Sequence, residues 1–165
     1  MGKLLKNKLR WAAVTTLGLI LGAILLTLKL GFFPVNADAA PSSLEMRIFP
    51  MVLHASVTRQ ASAIRSRPLA ESDSTGREIY TAMCAECHGR LDGRAGVLGE
   101  SLYPPAPRLA GHPTFYSDPE LFWVIKHGIR NTGMPSWGNR LSDEDIWNVV
   151  GFVKSLANLN ATTPH

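Results

Sequence analysis

Cysteine is nearly absent from the 165-residue sequence, which holds only Cys84 and Cys87. A small fold stapled by several disulfides is therefore excluded. Acidic residues are missing altogether from the first 33 positions, where Lys3, Lys6, Lys8, Arg10 and Lys29 supply five of the 17 basic side chains. The remaining chain carries 12 basic against 13 acidic residues, so the pI of about 9.3 describes one end and not a basic globular surface. No basic patch interleaved with aromatics occurs, which excludes nucleic acid as a partner. No segment reads as a convincing strand, no repeat is present, and 11 Pro with 14 Gly rule out long helices throughout.

Trp11 to Leu28 is a run of 18 uncharged positions. A helix over residues 11–33 would be about 34 Å long, sufficient for a hydrocarbon core of about 30 Å. Lys29 can snorkel at the far end, and Trp11 and Phe32-Phe33 suit the two interfaces. The basic residues before the run place residues 1–10 in the cytoplasm and everything beyond 33 on the periplasmic side of the cytoplasmic membrane. A cleaved signal peptide is the competing reading, since Ala37-Asp38-Ala39 resembles a cleavage site. Its apolar region would span only about 7–15 residues, shorter than this run, so a retained single-pass anchor is expected. Gly18 and Gly22 form a G-x-x-x-G, read here as ordinary lipid-facing composition.

Residues 34–70, with Pro34, Pro41, Pro50 and Pro68, read as a tether. Leu53, Val57, Ala61 and Ile64 recur within it at helical spacing, which predicts an amphipathic helix from about Met51 to Arg65 acting as a spacer that makes contacts. Docking on anionic lipid or a partner subunit is the sharper alternative. Residues 71–165 read as the folded domain. Asp73 or Ser74 caps a helix over Thr75 to about Ala85. Gly89 to Pro113 is a loop with too many breakers for regular structure. A helix then covers Glu120 to about His127, with Asp118 as cap and Pro119 in its first turn. Ser142 with Asp145 has capping-box spacing and opens a helix running to about Ala157.

The chemistry lies in Cys84-Ala85-Glu86-Cys87-His88. Two thiols three positions apart share a helix face. They can reach the two vinyl groups of one haem, and the following imidazole is then held over the iron, the arrangement read as c-type haem attachment. A thioredoxin-like thiol pair would need β-α-β surroundings, which are missing, and a structural zinc site would need four ligands, for which no second Cys pair exists. The other axial ligand must come from a distant loop. Met134, in Gly133-Met134-Pro135, is the candidate, because a soft thioether opposite histidine suits a haem iron. Burial as a core residue is the ordinary role of a methionine and the alternative here. His112 and His127 are the alternatives for a bis-histidine iron, His127 more simply capping a helix end. His54 and His165 carry no assignment.

These residues resemble the class I c-type cytochromes, small single-haem proteins, over about Asp73 to Leu159. The resemblance rests on Cys84-x-x-Cys87-His88, on Gly76-x-x-x-Tyr80 leading into it, and on the helix bearing Phe152. It implies an all-α, cytochrome c-like haem domain of three to four helices, preceded here by the one N-terminal transmembrane helix that the apolar run predicts. It also implies that Gly76 lets two helices cross closely and that Tyr80 and Phe152 fill the contact. By the same resemblance, the Pro107 carbonyl of Pro107-Arg108-Leu109 accepts the His88 Nδ1–H bond and Leu109 packs on the macrocycle. Trp123, Trp137 and Trp147 are expected in the haem pocket or the core, and Arg108 is a candidate for a propionate.

The expected cofactor is one covalently bound haem c with its iron, cofactor-bound by Cys84, Cys87, His88, Pro107, Leu109 and Met134 and ligated by His88 and Met134. An iron with both axial positions filled has no place for substrate, so the expected role is electron transfer and not catalysis. The chain then serves as a membrane-anchored carrier between redox protein partners, or as the cytochrome subunit of a respiratory complex. A haem enzyme or gas sensor with a displaceable Met134 is the competing function, and a haem-free thiol module a third.

Overall fold

The computed structural model describes residues 2–32, 35–69 and 74–156. Phe33, Pro34, Asp73, Ala157, Leu159 and His165, which carried expectations above, lie outside the described residues. The chain divides into two compact units, Met1–Ala39 and Ala40–His165.

The first unit is built on α1 (Gly2–Lys29), which starts well before Trp11. Leu4–Lys29 has a mean hydropathy of 2.1 in its most apolar window and is long and apolar enough to cross a membrane. Its hydroxyls are satisfied internally: Thr16 Oγ1 donates to the Ala12 carbonyl at 2.9 Å and Thr27 Oγ1 to that of Ile24 at 2.7 Å. A polar group so paired exposes no unmet donor to an apolar surrounding.

The second unit is all-helical among its described residues. α2 (Ser43–Ala61) is followed by α3 (Ser74–Ile79), a π-helical turn (Tyr80–Cys84), α4 (Ala85–His88), α5 (Val97–Glu100), α6 (Asp118–His127) and α7 (Asp143–Leu156). α7 begins where the sequence signals it: the Asp145 N–H donates to Ser142 Oγ and the Ser142 N–H to Asp145 Oδ2, each at 3.1 Å. α6 differs from expectation by one position. Ser117, not Asp118, precedes the helix, and its N–H donates to Glu120 Oε2 at 2.8 Å. Glu120 three residues on makes the pair reciprocal, a combination Asp118 could not form.

α3 and α7 cross at the centre of the core. Gly76 makes this possible, because a Cβ there would run into the Asn148 backbone carbonyl and Phe152. Beside the crossing, the Tyr80 and Phe152 rings lie 5.5 Å apart, and Ile146, Val149, Val150 and Leu156 complete the buried face of α7. Burial of such an apolar stripe, rather than local propensity, supplies most of a short helix's stability.

The helix expected over Met51–Arg65 is α2, and it starts eight residues earlier. Ser42 Oγ accepts from the Glu45 N–H at 3.2 Å, and the helix continues through Pro50. An internal proline removes one backbone bond and crowds the preceding turn. Here the face bearing Val57 and Ala61, both buried, packs on α6 and offsets that cost. Thr58 Oγ1 also donates to the Glu120 carboxylate.

Candidate haem-binding site

The π-helical turn ends in Cys84, and α4 adds Cys87 and His88 one helical turn later. Gly89, at φ 95°, then breaks the helix immediately behind the histidine. Single π turns inside α-helices occur often at functional sites. Cys84, Cys87 and His88 all line one cavity of about 710 Å³, and Pro107, Leu109 and Met134 line the same cavity. The two thiols are free of each other, with no disulfide between them.

His88 is fixed from three directions. Its Nδ1–H donates to the Pro107 carbonyl at 2.9 Å, its own carbonyl accepts from the Leu109 N–H at 3.1 Å, and the Tyr80 hydroxyl reaches the next carbonyl, that of Gly89, at 2.8 Å. With the proton on Nδ1, the Nε2 lone pair is free to ligate, and the bond to Pro107 sets the ring's orientation. α5 supports this arrangement from behind. A Cβ at Gly99 would collide with the Cys87 carbonyl, so only glycine lets α5 lie against the α4 backbone. The Gly99 carbonyl in turn accepts from the Ala106 N–H at 3.0 Å, which leads the chain to Pro107. The loop from Gly89 to Pro113, read as irregular, therefore contains this one short helix.

Met134 reaches the cavity from a loop tied back to α6. The Ile129 N–H donates to the Met134 carbonyl at 3.2 Å, the Met134 N–H to Thr132 Oγ1 at 3.1 Å, and the Trp137 N–H to the Ile125 carbonyl at 3.2 Å. Its side chain is partly buried against the core. His112 also lines the cavity, with Nδ1 bonded to the Ala110 carbonyl at 3.0 Å. His127 does not reach it; its ring lies 5.0 Å from that of Trp123. Of the three tryptophans placed in the pocket or core, only Trp137 lines the cavity. Trp147 is buried in the core, stacked at 4.6 Å on Phe122, and Trp123 sits beside His127. Arg108 lines the cavity and pairs with Glu100 at 2.7 Å.

The cavity is a poor place for charge. Burial, with the neighbouring Cys87 adding to it, pushes the Cys84 thiol up to about 11. Burial lowers the His88 pKa, opposed by its bond to Pro107, so the ring is held neutral. Burial, and secondarily Cys84, lifts the Tyr80 phenol to about 12. A volume of this size falls within the range of about 300–1,000 Å³ typical of small-molecule and cofactor sites. Apolar walls, two thiols one turn apart, an imidazole with a free nitrogen and a thioether make up a donor set that fits a covalently held haem. Among the described residues, no three His, Cys, Asp or Glu side chains gather as a site for a bare metal ion.

Among the lining residues for which the sequence suggests no pocket role are Phe49 and Leu53 of α2. Their signal was the four-residue spacing of Phe49, Leu53, Val57 and Ala61, the first of which lies before Pro50 and outside the expected helix.

Residues 71–153 match the family model described as "Cytochrome C oxidase, cbb3-type, subunit III". Cytochrome c55X of Stutzerimonas stutzeri is 33% identical over 84 residues, covering 51% of this chain and 67% of that protein. Chloroplastic cytochrome c6 of Chlamydomonas reinhardtii is 25% identical over 118 residues, 72% of each chain. Cytochrome c6 of Thermosynechococcus vestitus is 28% identical over 85 residues, 52% of this chain and 70% of that one. A solved structure of the Kuenenia stuttgartiensis reducing HAO-like protein complex is similar at 24% identity and a TM-score of 0.49, over 59% of this chain and 49% of the other, so the chain spans about half that protein's length.

Proposed function

We propose, from the premise that the chain belongs to the class I c-type cytochromes and carries covalently bound haem c, that it is a membrane-anchored single-haem electron carrier working on the periplasmic side. In this reading α1 is the retained anchor, and the haem domain exchanges single electrons with membrane redox partners, as a free carrier or as the cytochrome subunit of a respiratory complex. When bound, haem supplies a one-electron iron couple that needs no bond making or breaking.

The chain's own residues hold and tune it. Cys84 and Cys87 provide the thioether links. His88, oriented by Pro107, and Met134 would hold the iron, and Leu109 would pack against the macrocycle. Held neutral, His88 brings no proton to lose before it ligates. The observation that carries the reading is the convergence of Cys84, Cys87, His88 and Met134 on one apolar cavity, with the His88 Nδ1–H already committed to Pro107. The anchor confines the carrier to a surface and raises its effective concentration near membrane partners.

The test uses the full chain in gently solubilised membranes. A peroxidase-type haem stain should mark the denatured polypeptide, and the protein should stay with the membrane fraction after high-salt washing. Carbon monoxide should leave the reduced visible spectrum unchanged. A spectrum that shifts at once under carbon monoxide would favour a gas-binding protein, and an unstained band would remove the haem altogether.

A further inference from the structure

α2 lies wholly before residues 71–153, the part of the chain that matches the family model. It nevertheless contributes to the cavity, because Phe49 and Leu53 line it together with Cys84, His88 and Met134. We propose that α2 is a wall of the haem pocket, with Phe49 and Leu53 keeping water from the macrocycle and so raising the reduction potential. This rests on the haem reading above.

Three observations support it. The helix is clamped on both sides of these residues. Towards its start, the Tyr103 hydroxyl donates to Glu45 Oε1 at 2.9 Å; towards its end, the Thr58 hydroxyl donates to Glu120. Glu45 and Thr58 are separated by about 20 Å of helix, a strut between the segment leading to Pro107 and the start of α6. The seat is also apolar and tight, with Val57 at 0% and Ala61 at 2% exposure. Finally, the arrangement is specific to one face. Phe49 and Leu53 are half-buried, whereas Ile48 and Met51 on the other face are 45% and 64% exposed. A helix serving only as a tether has no reason to be pinned twice across a cofactor cavity.

The physical consequence follows from charge. Oxidation leaves one more positive charge on the haem iron, and nearby water stabilises that state. An apolar wall that excludes water disfavours the oxidised form, and such shells are an established lever on redox potential.

The experiment compares two double variants of the full chain, Phe49→Ala/Leu53→Ala and Ile48→Ala/Met51→Ala, by potentiometric titration and Soret circular dichroism. The first pair should shift the redox equilibrium toward the oxidised form by about threefold to tenfold, tenfold being about 59 mV for one electron, and should change the Soret dichroism. The second pair should match the parent in both. If the first pair impairs folding, Thr58→Val/Tyr103→Phe loosens the clamps without touching the wall and should lower the potential in the same direction. Unchanged potential and Soret dichroism in the cavity-facing and clamp variants, or equal shifts in both faces' variants, would overturn the proposal. Haem staining of each variant keeps this separate from the cofactor reading, since a stained band with an unmoved potential rejects only the wall.

Discussion

The crossing of α3 and α7 makes the sharpest stability prediction, through Gly76→Ala. The added Cβ would fall against the Asn148 carbonyl and the Phe152 Cβ, both of them backbone or backbone-fixed atoms that cannot rotate away. Overpacking a filled contact costs about 1–3 kcal/mol, and a rigid obstacle belongs toward the upper part of that range. Alanine returns up to about 1 kcal/mol of helix propensity relative to glycine. The net loss is therefore about 1–2 kcal/mol. At about 4–8 °C per kcal/mol for a domain of this size, the melting temperature should fall by about 4–16 °C. Thermal unfolding of the ferric full chain in detergent, followed by far-ultraviolet dichroism, measures it. Gly18→Ala serves as the comparison, because a Cβ there meets nothing within α1. A Gly76→Ala protein as stable as the parent, or more so, would refute the close crossing and with it the placement of the helix leading into Cys84.

Three further outcomes are expected. Met134→Ala should keep its covalent haem, show a lower reduction potential and bind carbon monoxide in the reduced state; a variant indistinguishable from the parent would show that another residue ligates the iron. The Glu120 carboxyl is held below its ordinary value of 4.5, chiefly by the Thr58 hydroxyl and then by the Ser117 N–H. A depressed carboxyl contributes stability above its unfolded pKa and loses it as the pH falls through the folded one. The destabilisation by Thr58→Val should accordingly be largest at neutral pH and shrink in acid, whereas a pH-independent difference in denaturant unfolding would contradict it. Tyr80→Phe deletes the donor to the buried Gly89 carbonyl. It should cost about 1–3 kcal/mol, the penalty for leaving such a group unpaired, and a shift in denaturation midpoint too small for this would mean that another donor takes its place.

The gathering of Cys84, Cys87 and His88 on one cavity was legible in the sequence because it is local: two thiols and an imidazole lie within five residues. The Ser142–Asp145 capping pair was legible for the same reason. Features set by distant contacts were not. α5 forms in a stretch rich in breakers because Gly99 can lie against the Cys87 carbonyl, a contact invisible in local propensity. The cap of α6 lies one residue earlier than expected because Glu120 answers Ser117. The helix was expected only from Met51, yet α2 runs through Pro50, since the Val57 and Ala61 seat on α6 outweighs one missing backbone bond. The tryptophans could be placed only as generic pocket or core aromatics. Trp137 reaches the cavity because its loop is bonded to the end of α6, while Trp147 points into the α6–α7 contact.

Iron K-edge X-ray absorption on ferric full chain labelled with selenomethionine tests the centre of the account most directly. A porphyrin held by Cys84 and Cys87 between His88 and Met134 predicts a selenium neighbour in the iron's first shell, lost in Met134→Leu. A first shell of nitrogen alone in the labelled parent, or a selenium neighbour that survives the substitution, would contradict it.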